Sequence, residues 1–265
     1  MKQPSLFLPH GGGPCFFLNE NGPMPPEWRR MGDFLAGIMT DLPERPRAML
    51  VVSGHWEEPR FTVHSGQRPE LLYDYGGFPD HTYALRWDAP GAPDVAAEAA
   101  RLIEGAGFPT GEERNRGWDH GVFIPLKVAV PQADIPTLQL SLRRDLDPAA
   151  HIAAGHALAP LRDQGVLIVG SGMSFHNMQR RDGSVQGAAD AFDEALTSVV
   201  TDPDPASRSA RLGAWASLPY ARVAHPREEH LMPLMVAAGA GGDDRGSHIF
   251  RDRVIGWTVS AYRFG

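Results

Sequence analysis

The sequence predicts an α/β fold: one domain over residues 1–265, with a central, mainly parallel or mixed sheet, helices flanking it, and a site gathered at the C-terminal ends of the strands. Short continuous apolar runs such as Ala48-Met49-Leu50-Val51-Val52 and Val166-Leu167-Ile168-Val169 read as strands covered on both faces. Stretches with apolar residues at helical spacing separate them. The strong strands stop at glycine with a histidine close by, at His10, His55 and His176, which is where open α/β sheets place their ligands.

Taken in order, Ser5-Leu6-Phe7-Leu8-Pro9 is a buried first strand running into His10-Gly11-Gly12-Gly13-Pro14. The glycines of that turn let the backbone approach a ligand or metal closely. A phosphate loop would add a lysine and a following helix, and neither is present. Residues 25–41 form a helix, opened by Pro25-Pro26-Glu27 and ended before Pro43. The apolar run from Ala48 terminates at His55-Trp56-Glu57, and a further strand covers Arg60 to His64. Tyr73-Asp74-Tyr75-Gly76-Gly77-Phe78-Pro79 makes an aromatic, glycine-rich loop, and Tyr83 to Trp87 alternates like a strand. Pro93 to Ala106 is helical, with Val95, Ala99, Leu102 and Ile103 on one side. Arg116-Gly117-Trp118-Asp119-His120-Gly121 is a second polar-aromatic turn, leading into a buried helix or strand from Val122 to Val130. Pro136 to Leu142 alternates as a strand, and a helix from Pro148 to Arg162 carries His151 and His156 as surface or packed residues. Val166 to Gly170 runs into Ser171-Gly172-Met173-Ser174-Phe175-His176-Asn177. An amphipathic helix over 184–200, an exposed connection from Asp202 to Arg208 and a strand pair from Ile249 to Phe264 complete the chain.

Between the last two lies Ala224-His225-Pro226-Arg227-Glu228-Glu229-His230-Leu231-Met232-Pro233-Leu234. Pro226 suits the first turn of a helix, where its missing N–H costs nothing. Glu228 and Glu229 then fall in that turn, favoured by the helix dipole. Leu231, Leu234, Met235 and Ala238 recur on one face, so the expected helix runs to Ala240 and packs inward, with His230 one turn in. His225 and His230 are five apart, too far round to share a face, so they have different jobs.

Composition narrows the function classes. At 265 residues and 42% hydrophobic content the chain can bury a substantial core. A formal charge of −7 argues against nucleic acid or an anionic membrane as partner. One cysteine, Cys15, excludes an internal disulfide and a cysteine-based zinc cage. Met1-Lys2-Gln3-Pro4 lacks the apolar core of a signal peptide and no apolar run is long enough to span a bilayer, so a cytoplasmic protein is expected. Histidine-rich ligation without cysteine suits Zn(II) or non-haem Fe(II). None of the spacings is a short metal motif such as HExxH, so a metal site requires distant segments carrying His10, His55, His176 and His230 to converge.

Six segments in this order span nearly the whole chain: Pro9-His10-Gly11-Gly12-Gly13-Pro14, Ser53-Gly54-His55-Trp56, Tyr73 to Pro79, Trp118-Asp119-His120-Gly121, Gly170 to Asn177, and His225-Pro226-Arg227-Glu228-Glu229-His230. Together they resemble the DODA-type extradiol ring-opening dioxygenases of the class III, LigB-like superfamily. That resemblance implies metal ligation by His10, His55 and His230, with Glu229 and Glu57 as alternative ligands, since many class III relatives use two histidines and a glutamate. It implies His176 as catalytic base, able to approach the metal as a fourth ligand, and His120 as a substrate contact. It leaves His225 to helix capping or support of the site. The three glycines after His10 depart from the Gly-Ser-Pro of many relatives, which bears on pocket shape. The implied reaction takes a small aromatic diol and O₂ to an open-chain semialdehyde acid, with Fe(II) for activity and redox-inert Zn(II) as a common occupant.

Two other readings fit the same histidines. A zinc hydrolase would use a glutamate base such as Glu229, and a binding protein would keep a structural metal without turnover. Dihydroxyphenylalanine, protocatechuate-like acids, simple catechols and polyphenols all satisfy the sequence. Arg116, Arg143 and Arg227 are the candidates to hold a substrate carboxylate, against a default of solvated surface arginines.

Overall fold

The apolar runs pair side by side at the centre of one sheet. The computed structural model describes residues 1–180 and 183–265. Its strands are β1 (Ser5–Pro9), β2 (Ala48–Glu58), β3 (Phe61–His64), β4 (Thr110–Glu113), β5 (Thr137–Arg143), β6 (Val166–Gly172), β7 (Gly246–Val254) and β8 (Trp257–Phe264), in the order β4-β3-β5-β2-β6-β1-β8-β7. β5, β2, β6 and β1 run parallel, as continuous apolar strands should when helices cover both faces. β3 meets β5 antiparallel at one side, and β8 meets β1 antiparallel at the other, so the sheet is mixed. The helices are α1 (Pro26–Gly37), α2 (Pro93–Gly105), α3 (His120–Ala129), α4 (Pro148–Leu158), α5 (Pro160–Asp163), α6 (Gln186–Val200), α7 (Pro205–Gly213), α8 (Ala221–Ala224) and α9 (Met232–Gly241). No helix among the described residues is long and apolar enough to cross a membrane.

Several elements depart from the sequence expectation, each for a local reason. The helix expected from Pro226 begins instead at Met232. A helix through this stretch would need the N–H that Pro233 lacks, so the chain opens the helix with Pro233 in its first turn. Residues 226–231 form a turn, closed by Leu231 N–H donating to the Glu228 carbonyl at 2.9 Å. His230 therefore sits just before α9, and Glu228 and Glu229 lie outside it. Residues 83–87 are not a strand: Asp80–Ala84 is a short 3₁₀ turn, and the Trp87 indole N–H donates to the Val130 carbonyl at 2.9 Å. The exposed connection after Asp202 contains α7, capped by Asp204 with Pro205 at its first turn. Its Arg208 is buried, donating to the carbonyls of Asp202, Gly242 and Asp244. Pro160 divides the expected helix 148–162 into α4 and α5. His151 on α4 is fully buried, donating from Nδ1 to the Asp147 carbonyl at 2.7 Å and accepting the Arg143 N–H at Nε2.

Candidate active site

The site forms where β1, β6 and β2 end side by side. His10 follows β1 directly, and its N–H donates to the Gly172 carbonyl at the end of β6. β2 continues past its pairing with β6, which stops at Ser53, and its register against β5 shifts between Val52 and Glu57. His55 falls in that irregularity, the kind of bulge that re-aims a side chain at a sheet rim. His230 is brought to the same place by the turn before α9, whose His230 carbonyl accepts the Met173 N–H at 3.0 Å. Gly172 makes this approach possible, because any Cβ there would strike the His230 carbonyl oxygen. Gly11 and Gly13 have φ of +83° and +54°, a left-handed course that folds the glycine turn over Cys15 and against Phe78.

Three imidazoles converge. His55 Nε2 lies 3.2 Å from His10 Nε2 and 3.2 Å from His230 Nε2. The other nitrogens of His10 and His230 are committed elsewhere. His230 Nδ1 is 2.9 Å from the Glu229 carboxylate, which can only accept, so Nδ1 carries the proton. Ser171 Oγ donates to the Gly121 carbonyl, so its contact with His10 Nδ1 at 3.2 Å makes that nitrogen a donor too. Both Nε2 atoms therefore present lone pairs to His55 Nε2, and one proton on His55 cannot satisfy both. Burial, reinforced by the neighbouring histidines, pushes the His10 and His230 pKa well below the ordinary value and that of His55 down to about 4. Neutral imidazoles with facing lone pairs are what a divalent cation of borderline softness requires, and partners fixing the far nitrogen are the usual support of histidine ligands. The donor set thus fits a zinc or non-haem iron ion. Glu57 forms a bidentate pair with Arg227 at 2.6 Å, whereas Glu229 Oε1 accepts from His230 and, with His176 and His230, makes up a second group whose donor atoms could hold a metal.

His120 and His176 flank the trio. His120 opens α3, with Nδ1 2.8 Å from Asp74 Oδ1 and its backbone N–H on the same oxygen at 2.9 Å. Burial raises the Asp74 carboxyl pKa, but the hydrogen bonds and charge of His120 outweigh it and hold it below the usual value. The His120 ring lies 3.9 Å from that of His55. His176 stacks on His230 with ring centroids 3.5 Å apart and planes at 18°, and its Nδ1 is 3.6 Å from Glu229 Oε1. Glu229 therefore serves both His230 and His176. Asp119, fully buried, accepts from Ser53, Arg116 and Gln139, and Arg116 also donates to the His55 carbonyl at 3.1 Å. This clamps the irregular part of β2 in place.

His10, His55, His120, His176 and His230 all line one cavity of about 410 Å³, shared with Cys15, Tyr75 and an apolar wall. A larger groove of about 910 Å³ beside β3, β4 and α2 has no histidine among its lining residues. His225 stands apart: it is fully buried among Phe192 and Trp215, with Nε2 3.0 Å from the Ser174 carbonyl. Burial also raises the Cys15 thiol to about 12, so it faces the cavity as a neutral group. The roles of Asp74, Ser171 and Asp119 were not visible in the sequence. The only signal for Asp74 is a carboxylate inside a glycine-rich aromatic loop.

The catalytic LigB subunit of aromatic ring-opening dioxygenases matches this chain over residues 4–263. Among relatives, a dioxygenase tasH from Hapsidospora irregularis is 36% identical, covering 99% of this chain and 85% of its own length. A 4,5-DOPA dioxygenase extradiol from Beta vulgaris is 37% identical over 83% of this chain and 84% of its own, and one from Escherichia coli K12 is 33% identical over 90% and 85%. The crystal structure of an uncharacterized Escherichia coli K12 protein superposes with a TM-score of 0.78 at 28% identity, covering all of both chains.

Proposed function

Because this chain belongs to the LigB family of aromatic ring-opening dioxygenases and is an extradiol ring-cleaving enzyme, we propose that its histidine pocket opens the ring of an ortho-dihydroxy aromatic with O₂ to give an open-chain semialdehyde acid, using a divalent metal held by His10, His55 and His230. The observation that carries this is the convergence of three imidazoles, with His55 Nε2 3.2 Å from both His10 Nε2 and His230 Nε2, and with Nδ1 of the latter two committed to other partners. Fe(II) bound there would supply the one-electron chemistry that O₂ activation needs and that redox-inert Zn(II) lacks.

The protein's own groups divide the remaining work. Trp28, Tyr75 and Phe78 line the cavity and exclude water from the ring of a bound substrate. His176 is placed to take a substrate hydroxyl proton, and Glu229, 3.6 Å from its Nδ1, stabilises the imidazolium that results. His120, anchored through Nδ1 by Asp74, has Nε2 left to hydrogen-bond a substrate oxygen and later to return a proton. A hydrolase would need Glu229 as a free base, yet its Oε1 is turned to His230 Nδ1.

The test is turnover after anaerobic loading with Fe(II). Aerobic addition of catechols should consume one O₂ per ring and give a product heavier by both oxygen atoms. Hydrolysis supported by Zn(II) without O₂ uptake would overturn the reading. Alanine at His10, His55 or His230 should each sharply lower bound metal, and retention of wild-type metal by all three variants would refute the ligand assignment.

A further inference from the structure

Away from the histidines the cavity turns apolar. Its outer wall is Leu18, Trp28, Phe78, Met178, Ile255 and Trp257, and among the described residues no Asp, Glu, Lys or Arg lines it. Two of the polar tips on the aromatic groups are also spent: the Tyr75 hydroxyl donates to the Thr82 carbonyl at 2.8 Å, and the Trp257 indole N–H to the Arg180 carbonyl at 2.6 Å. Each arginine that the sequence offers for a substrate carboxylate is committed outside the cavity. Arg116 holds Asp119 and the His55 carbonyl, Arg143 pairs with Asp145 and Asp147, and Arg227 pairs with Glu57. At about 410 Å³ the space falls in the range that holds drug-sized ligands, so a bare dihydroxybenzene would leave much of it unfilled.

A charged group entering such a wall loses its hydration and meets no Asp, Glu, Lys or Arg among the described lining residues, which opposes binding strongly. An alkyl or aryl group there gains by leaving water, at about fourfold in affinity per buried methylene. Resting on the ring-cleaving reading of this site, we propose that the substrate is an ortho-diol whose ring carries an uncharged, apolar substituent packed against the Leu18–Trp28–Ile255–Trp257 wall. An amino-acid side chain, as in the dihydroxyphenylalanine named for several relatives, is disfavoured here. Met178, 54% exposed at the cavity, provides a flexible thioether that accommodates substituents of different length.

The experiment uses the full chain in two forms. With Fe(II), kcat/KM is measured by O₂ uptake for catechol, 4-methylcatechol, 4-butylcatechol, 3,4-dihydroxyphenylpropionate and dihydroxyphenylalanine. With Zn(II), which holds the diols without turnover, the same compounds are ranked by calorimetric Kd. Both rankings should rise along the alkyl series by about fourfold per methylene until the cavity is filled, with the two charged compounds on the order of a hundredfold below 4-butylcatechol. Met178→Arg, on an exposed rim position, should narrow the gap for the propionate in both measurements. Equal or better binding and turnover of either charged compound would overturn the proposal. Absence of turnover with the apolar order of Kd intact would sink the ring-cleaving reading and leave the pocket's selectivity standing, whereas turnover without that order would do the reverse.

Discussion

Gly172→Ala tests how closely the third histidine depends on a missing side chain. A Cβ on Gly172 would lie far inside the 3.0 Å below which real Cβ atoms essentially never pack, with the His230 carbonyl oxygen as the nearest atom. That oxygen belongs to backbone, so it cannot rotate away, and the His230 peptide must retreat by about 1 Å. Overpacking of this kind costs about 1–3 kcal/mol. The retreat also breaks the Met173 N–H to His230 carbonyl bond, and an orphaned buried donor costs about 1–3 kcal/mol more. The expected loss of stability is about 2–6 kcal/mol, or roughly 4–12 °C in Tm for a chain of this size. Ligand positions must hold to about 0.5 Å for a working site, so metal affinity should fall by at least about tenfold. Gly37→Ala is the matched control, because a Cβ there meets nothing within 4 Å; it should be neutral or stabilise by about 0.4–1 kcal/mol. Thermal unfolding and metal titration on both variants decide the matter. Wild-type Tm and metal affinity in Gly172→Ala, or equal losses in the two variants, would refute the argument that His230 is set by backbone contact with β6.

His176→Ala should keep its metal and lose about 10²–10⁴-fold in ring cleavage, as measured by O₂ uptake beside metal analysis; metal loss matching that of His55→Ala would make His176 a ligand instead. Glu229→Ala removes the acceptor on His230 Nδ1 and should weaken metal binding about 10–100-fold, while Glu57→Ala, which breaks a half-exposed pair with Arg227, should change stability by only about 0–1 kcal/mol. His225 gives a pH signature: burial lowers its pKa to about 4 in the folded chain, against an ordinary 6.5. The unfolded chain therefore binds the extra proton first, so the stability from a neutral His225 is intact above pH 6.5 and is lost as pH falls toward 4, by about 3 kcal/mol in all. Urea unfolding of the metal-free protein from pH 7 to 4 should show a shallower acid loss in His225→Gln than in wild type, and parallel curves would show that His225 does not titrate in this way.

What the sequence determined by itself was whatever depends on neighbours along the chain. The runs at Leu6, Val51 and Ile168 are apolar without interruption, so they had to be strands covered on both faces. The glycines beside His10, His55 and His176, together with the order of the six motifs, were enough to indicate the family and to nominate five histidines that do share one cavity. The start of α9 is not legible in the sequence, because Pro226 and Pro233 both satisfy the rule for a first turn. Only the packing of the His230 peptide against Gly172 decides between them. The tertiary structure likewise decided which nitrogen of His10, His120 and His230 is free, since Ser171, Asp74 and Glu229 act on them through hydrogen bonds of 2.8–3.2 Å whose partners, Glu229 apart, come from distant segments. It also removed Arg116, Arg143 and Arg227 from the cavity by giving each a carboxylate of its own. Apolar periodicity is a local property and survives in one dimension. The direction of a polar side chain is set by contacts whose energies depend on ångström distances between residues far apart in the chain, and only the folded structure brings those distances into being.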